Sequence, residues 1–297
     1  MPLTMDAWAQ ERERQLRHPF EAGRVQVATL DWVEPIPSRP AGGVWAWGTV
    51  ADVAAMDQDL RKVWAKLMLK EILSGALCAV SSSDVDVITP VFVAWHPATA
   101  KPRLVHDLRP INVRLAASSV AYERAVAALQ FRAAVATKLD LLSAFRHVAV
   151  TDADARCLAF ALGGALWRWH ALPFGLTSSP AFFAAALAPV LRRLREAHVW
   201  LVVYVDDVLV LGRSVSDLDG AVTRTLKELA GSGWYVALEK VFVHPNTRTP
   251  FLGVLVDLKD QCLRVSVRKA AKLTLMCDNI LKRSTASLPA LQAVGGL

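Results

Sequence analysis

Two adjacent carboxylates, Asp206 and Asp207, interrupt an apolar run over residues 201–211, read as Leu-Val-Val-Tyr-Val-Asp-Asp-Val-Leu-Val-Leu. Val, Tyr and Leu on both sides favour strands, and acids between two such runs predict a tight hairpin with the acids at its tip. Asp is common in turns because its side chain bonds nearby backbone, so the pair alone carries little. The arms are apolar throughout, however, which predicts burial on both faces, and a buried carboxylate without a partner is costly. A hard divalent cation bound through oxygen relieves that cost. A second strand-like run, residues 134–140, ends in Asp140. One Asp at a strand end and an Asp pair on a neighbouring hairpin make a three-carboxylate cup. Such a cup can hold two metal ions about 4 Å apart and run an in-line phosphoryl displacement.

The elements that must position these acids follow from periodicity. Residues 57–74 read as a helix, with Leu60, Val63, Trp64, Leu67 and Leu73 at helical spacing, Asp57 as cap and Gly75 as stop. Strands are predicted over 76–80, 89–95, 101–107 and 234–238, and an Ala-rich helix over 120–132. Pro180 suits the first position of a helix capped by Ser179, with Phe183, Leu187, Val190, Leu191 and Leu194 on one face. Pro189 should kink that helix or break an internal bond. A second helix is expected over 216–230, and a basic amphipathic one over 267–283, with Leu273, Met276 and Ile280 as its stripe. Residues 1–20 read as a charged helix. Trp32, Trp45 and Trp47 punctuate a Pro- and Gly-rich stretch and suit either packing or base stacking.

Four blocks now stand in order. They are Lys-Leu-Asp-Leu-Leu-Ser-Ala-Phe at 138–145, Leu-Pro-Phe-Gly-Leu-Thr-Ser-Ser-Pro at 172–180, Tyr-Val-Asp-Asp at 204–207 and Phe-Leu-Gly at 251–253. Together they resemble the ordered motifs of a retroelement reverse transcriptase, of the long-terminal-repeat or tyrosine-recombinase retrotransposon type, over roughly residues 57–297. The resemblance implies an α+β right-hand polymerase with fingers, a palm of antiparallel sheet over two helices, and a partial thumb. It divides the chain into a Trp- and Pro-rich N-terminal extension (1–56), fingers (57–133), a palm strand and motif (134–150), a return to the fingers (151–171), palm (172–258) and the start of a thumb (259–297).

The same resemblance implies template-directed synthesis of DNA on an RNA or DNA template-primer, from dNTPs. Asp140, Asp206 and Asp207 would hold two Mg²⁺ ions, or Mn²⁺ in their place, with the Leu141 carbonyl assisting. Adjacent strand residues face opposite ways, so Asp207 is expected to act more through its field than by direct ligation. Arg103 would grip the triphosphate, for which a planar guanidinium fork is suited. The family's usual Lys at the end of the first fingers strand is replaced here by Ala94, Trp95 and His96, and Lys101 across the turn is the substitute. Phe145, five residues after Asp140, would exclude a ribose 2′-hydroxyl. Phe174 and Gly175 would line the nucleotide pocket, and Tyr204, Phe251, Leu252 and Gly253 the primer and template.

Composition sets wider bounds. The 297-residue chain has a net charge of +7 and 54% hydrophobic residues. The charge suits a phosphate-backbone partner, and no apolar run approaches the ~20 residues of a membrane helix. Cys78, Cys157, Cys262 and Cys277 lie too far apart for Cys-x-x-Cys metal spacing, and no basic-then-apolar signal segment opens the chain. An intracellular protein with reduced thiols, and no membrane partner, is therefore expected. Two rivals stand beside the polymerase. One is a catalytically inactive retrotransposon remnant that only binds nucleic acid; the other is an RNA-templated RNA polymerase on the same palm, against which Phe145 argues.

Overall fold

The computed structural model describes residues 26–36, 44–48, 51–53, 55–95, 100–237, 245–265, 267–282, 285–288 and 291–292. The expected helix over 1–20, the turn at 96–99 and most of the C-terminal tail lie outside them. The chain forms two compact units, each assembled from three segments.

The first unit comprises residues 1–121, 141–197 and 225–237. Its described part opens with β1 (Gln26–Ala28) and β2 (Trp45–Ala46). The helix Gln58–Leu73 follows, and Asp57 caps it by accepting from the Leu60 N–H at 2.7 Å. Then come β3 (Leu77–Val80), β4 (Val87–Ile88), β5 (Val91–Trp95) and β6 (Pro102–His106). After β7 (Val135–Asp140), which belongs to the second unit, the first unit resumes with β8 (Val148–Val150), β9 (Ala159–Leu162) and β10 (Ala165–Trp169). One sheet has the order β2-β4-β9-β10-β3, while β5 and β6 pair as a separate hairpin and β1 pairs with β8 in parallel.

The helix Ser179–Glu196 runs on through Pro189 without interruption. Pro189 is exposed, as is Ala185, whose carbonyl loses the internal donor, so solvent can satisfy that group. The inward face is Phe183, Ala186, Leu187, Val190 and Leu194. The cap is Ser178 rather than Ser179; the Ser179 hydroxyl instead donates to the Pro173 carbonyl at 3.1 Å.

The second unit comprises residues 122–140, 198–224 and 238–297. Its centre is an antiparallel sheet ordered β11-β12-β7, with β11 at Trp200–Tyr204 and β12 at Asp207–Gly212. Each of its edges is bonded at one point, which blunts an otherwise unpaired edge. On β11, the Val203 N–H donates to the Glu123 carboxylate at 2.7 Å. On β7, Ala136 exchanges two backbone hydrogen bonds with Asn246, at 2.9 and 3.0 Å. A second sheet runs β13 (Arg248–Phe251), β14 (Val254–Asp257) and β15 (Cys262–Val265). Val202, Leu209, Leu211, Phe251 and Val256 share one core cluster with Ala128 and Ala136.

Two further sequence expectations need correction. The Ala-rich stretch 120–132 is helical only at Ala127–Gln130. Ala propensity is a weak prior, and tertiary contacts by Tyr122 and Glu123 override it. Residues 234–237 form no strand but a single bridge, Val236 to Leu141.

Candidate active site

The hairpin β11–β12 closes on the pair Tyr204 and Asp207, leaving Val205 and Asp206 as a two-residue turn. Val205 takes φ +52°. A positive φ at the first turn position fits the tight hairpin types that usually place Gly there. A β-branched residue in that region is an outlier, and such strain costs ~1–3 kcal/mol. The flanking strands, buried at Leu201, Val202 and Val203 and at Val208, Leu209, Val210 and Leu211, hold the turn in that conformation.

Asp207 is the direct cross-strand partner of Asp140. Directly opposed residues of an antiparallel pair project to the same face with Cβ atoms about 5 Å apart. The two acids therefore stand side by side, and Asp206 occupies the adjacent turn. Alternation along a strand does not separate Asp206 from Asp207, because only Asp207 is in a strand. On the same face, two residues before Asp140, Lys138 places Nζ 2.6 Å from Asp207 Oδ1. All three acids are half-buried.

This donor set is hard oxygen, which suits Mg²⁺ or Mn²⁺ chemically. Among the described residues no group of three or more His, Cys, Asp or Glu side chains is already gathered as a cation cage. Lys138 instead supplies the positive charge beside Asp207.

Around the hairpin, Tyr204 is 40% exposed and packs its ring on Tyr122, with centroids 4.9 Å apart. Burial, and secondarily Tyr204, push the Tyr122 hydroxyl above its ordinary pKa. Phe251 is buried at 1% exposure within the core, so its side chain packs rather than faces a ligand. Leu252 (φ +49°) and Gly253 (φ +76°) form the two-residue turn of the β13–β14 hairpin. A Cβ on Gly253 would lie 2.6 Å from Lys269 Nζ, so the helix Val267–Leu281 sets a cation over that turn.

The remaining sequence candidates lie in the first unit. Arg103 is exposed on β6 opposite Ala94, and Lys101 is exposed just before that strand. The turn after β10 is tied to β6 through backbone. The His106 N–H donates to the Phe174 carbonyl at 3.2 Å, and a Cβ on Gly175 (φ +109°) would come within 2.0 Å of the His106 carbonyl oxygen. Only glycine fits there. Asn112 locks the same turn: its Nδ2 donates to Gly175 O at 2.8 Å, and its Oδ1 accepts from Thr177 N–H and Oγ1–H, each at 3.0 Å.

Phe145 is half-buried among aromatic rings, 5.5 Å from Phe174 and 5.7 Å from Phe183 between centroids. Leu141, next in the chain after Asp140, is buried at 1% exposure. Beside Phe145, Arg146 is nearly inaccessible. Its Nε donates to Glu71 at 2.6 Å, Nη1 donates to the Leu172 carbonyl, and its guanidinium lies 4.3 Å from the Trp169 ring centre and 5.1 Å from that of Phe174. Arg146 thereby joins helix, turn and aromatic cluster.

Two histidines nearby are built to stay neutral. Burial drives His106 and His147 down to about 4. His147 Nε2 accepts from the Tyr235 N–H at 3.0 Å, which leaves Nδ1 as donor to the Ala144 carbonyl at 3.1 Å. Neither is an acid or base near neutral pH.

Sequence reasoning did not single out Lys138, Asn112, Arg146 or Glu123. For Lys138 the available signal was a charge inside an apolar strand; Arg146, in the short helical turn that follows Phe145, offered none. Asn112 and Glu123 carry none, because their partners are distant in sequence.

The sequence profile of the family described as reverse transcriptase (RNA-dependent DNA polymerase) matches residues 81–256. The Gag-Pol polyprotein of Rous sarcoma virus subgroup C (strain Prague) is 30% identical over 175 residues, 56% of this chain and 11% of that polyprotein. The transposon Tf2-3 polyprotein of Schizosaccharomyces pombe is 28% identical over 160 residues, 53% of this chain and 12% of that polyprotein. The chain thus spans about a tenth of these relatives' length. Among solved structures, the foamy viral protease-reverse transcriptase with RNA/DNA hybrid aligns at TM-score 0.67 and 18% identity, covering 97% of this chain and 37% of that one. The same protein with dsDNA aligns at TM-score 0.66 and 19% identity, covering 97% and 57%.

Proposed function

The chain belongs to the reverse transcriptase family, which the profile match over residues 81–256 covers for more than half of its length, and from that membership we propose that it synthesises DNA on an RNA or DNA template. The observation that carries this reading is the cross-strand pair Asp140 and Asp207 with Asp206 in the adjoining turn. Asp140, Asp206 and Asp207 would hold two Mg²⁺ ions, with the Leu141 carbonyl assisting. When bound, such ions favour ionisation of a primer 3′-hydroxyl and offset charge on departing pyrophosphate.

The chain's own residues do the positioning. Arg103 and Lys101, both exposed, are available to the phosphates of an incoming dNTP, Arg103 through a two-pronged contact. Phe145 is held by Phe174 and Phe183 and closes the space a 2′-hydroxyl would need. Phe174 presents a 40% exposed ring, and Gly175 brings backbone close without a side chain. Tyr204, with the turn at Leu252 and Gly253 beneath Lys269, is offered to the primer and template. The basic balance of the chain supports backbone binding without sequence preference. The solved complexes of the foamy viral protease-reverse transcriptase with dsDNA and with RNA/DNA hybrid support the same partners here. We place an N-terminal extension at residues 1–56, the fingers at 57–133 and 151–171, the palm at 134–150 and 172–258, and the start of the thumb at 259–297. No helix among the described residues is long and apolar enough to cross a membrane.

Primer extension on a homopolymer RNA template with dNTPs and Mg²⁺ tests the proposal. Wild type should extend the primer, and Asp206→Asn/Asp207→Asn should not. Asp140→Asn should abolish extension while leaving template-primer affinity intact. Template-primer binding without extension by wild type would favour the inactive remnant.

A further inference from the structure

Away from the carboxylates, a thiol meets an imidazole. Cys78 lies within β3 and His170 immediately follows β10. Although 92 residues apart, Cys78 Sγ and His170 Nε2 are 2.9 Å from each other. The placement is fixed by backbone. Cys78 is the cross-strand partner of Arg168, and the His170 N–H donates to the Ala76 carbonyl at 2.8 Å.

The pair matches the core of an activated nucleophile, a base within hydrogen-bond reach of the nucleophile's proton, and charged groups stand further out. His170 Nδ1 lies 3.9 Å from Asp152 Oδ1. Arg168 Nη2 lies 3.3 Å from His170 Nε2 and 3.5 Å from the same Asp152 oxygen. Arg168 Nε is buried without a hydrogen-bond partner, and as the cross-strand partner of Cys78 Arg168 projects from the same face of the sheet. An imidazole within hydrogen-bond reach of a thiol can take its proton as the sulfur attacks, and the thiolate is the nucleophilic form.

The other cysteines supply the contrast. None is in a disulfide; Cys157 is buried, and burial pushes its thiol up to about 12. Cys262 and Cys277 share Cys78's intermediate exposure, and neither shows an imidazole partner in the described structure.

We propose that Cys78 is a modification site, a reactive thiol served by His170 that takes soft electrophiles and small disulfides. With glutathione disulfide, the Cys78 proton passes to His170 Nε2 and Sγ attacks one glutathione sulfur. A Cys78–glutathione disulfide bond forms, the glutathione S–S bond breaks, and the departing thiolate takes the proton from His170. One protein thiol is oxidised and one glutathione is released reduced. This inference does not rest on polymerase activity.

The test is site-resolved alkylation of the full chain by iodoacetamide, and thiolation by glutathione disulfide, each read by peptide mass spectrometry. Cys78 should react about three- to tenfold faster than Cys262 and Cys277, the net of a larger thiolate fraction and its lower intrinsic nucleophilicity. His170→Gln should remove that advantage and leave the Cys262 rate unchanged. Equal rates at the three sites, or no effect of His170→Gln, would overturn the proposal. Should His170→Gln fail to fold, Cys78→Ser decides by ultraviolet absorbance: loss of a thiolate band supports the site, and an unchanged spectrum overturns it.

Discussion

Lys138 Nζ lies 2.6 Å from Oδ1 of Asp207, both side chains being 24% exposed. The ammonium reaches diagonally across the β7–β12 pair to the acid that faces Asp140. A cation bound by the carboxylates would share Asp207 with it. Lys138→Met should therefore tighten Mn²⁺ binding by up to about fivefold, the scale of a partly exposed ion pair. Calorimetric titration of Mn²⁺ into both proteins checks this, and weaker binding in the variant would show that Lys138 orients Asp207 instead.

Arg146 and Glu71 form the most buried ion pair described, with side chains 3% and 10% exposed. Removing one partner leaves the other charge without compensation, at a cost of ~3–5 kcal/mol. Arg146→Met should lose about that much in urea unfolding. Arg146→Met/Glu71→Met should lose less than Arg146→Met alone, since no charge is stranded.

Phe145 owes its position to Phe174 and Phe183. Phe145→Ala should raise ribonucleotide incorporation relative to deoxynucleotide on the order of tenfold, as expected when one steric contact decides between two substrates. Competitive single-nucleotide extension measures the ratio; an unchanged ratio would assign the ring to packing alone.

Asp257 gives a pH signature. Its side chain is inaccessible and accepts from Arg264 Nε at 2.7 Å and Arg248 Nε at 2.8 Å. The Arg264 hydrogen bond first, with further help from the Asp260 N–H and Arg248, holds its carboxyl at about 2. The unfolded value is roughly 3.9, so between the two the unfolded chain binds more protons and stability rises with pH. The contribution is complete above about 4 and is lost as pH falls through about 2. Thermal melts of wild type and Asp257→Asn over that window should converge toward acid, with the variant flatter.

Much of the site was legible because its acids punctuate apolar strands. Asp140, Asp206 and Asp207 interrupt runs that otherwise read as buried, and unlike residues in such a setting are conspicuous. Gly175 was visible as a turn residue, but its reason, the His106 carbonyl, was not. Tyr122 and Glu123 were misread as part of a helix because local Ala content is a one-dimensional signal. Their hydrogen bond and ring contact to β11 reach residues about eighty positions on. Cys78 and His170 were opaque for the same reason: strand pairing creates their meeting, and neither flank announces it.

The division of the chain also bears on how it can be made and cut. Each unit draws on three separate segments, so the chain passes between them five times, once at the peptide bond between Asp140 and Leu141. No contiguous fragment contains one whole unit without also carrying segments of the other. A cut at any crossing separates the segments of at least one unit, and a cut at one of the three inner crossings separates those of both. Folding must close long loops before either core is complete, which places the chain among slow folders exposed to aggregation on the way. Production of this protein as separate halves should therefore fail where co-expression of complementary fragments can succeed.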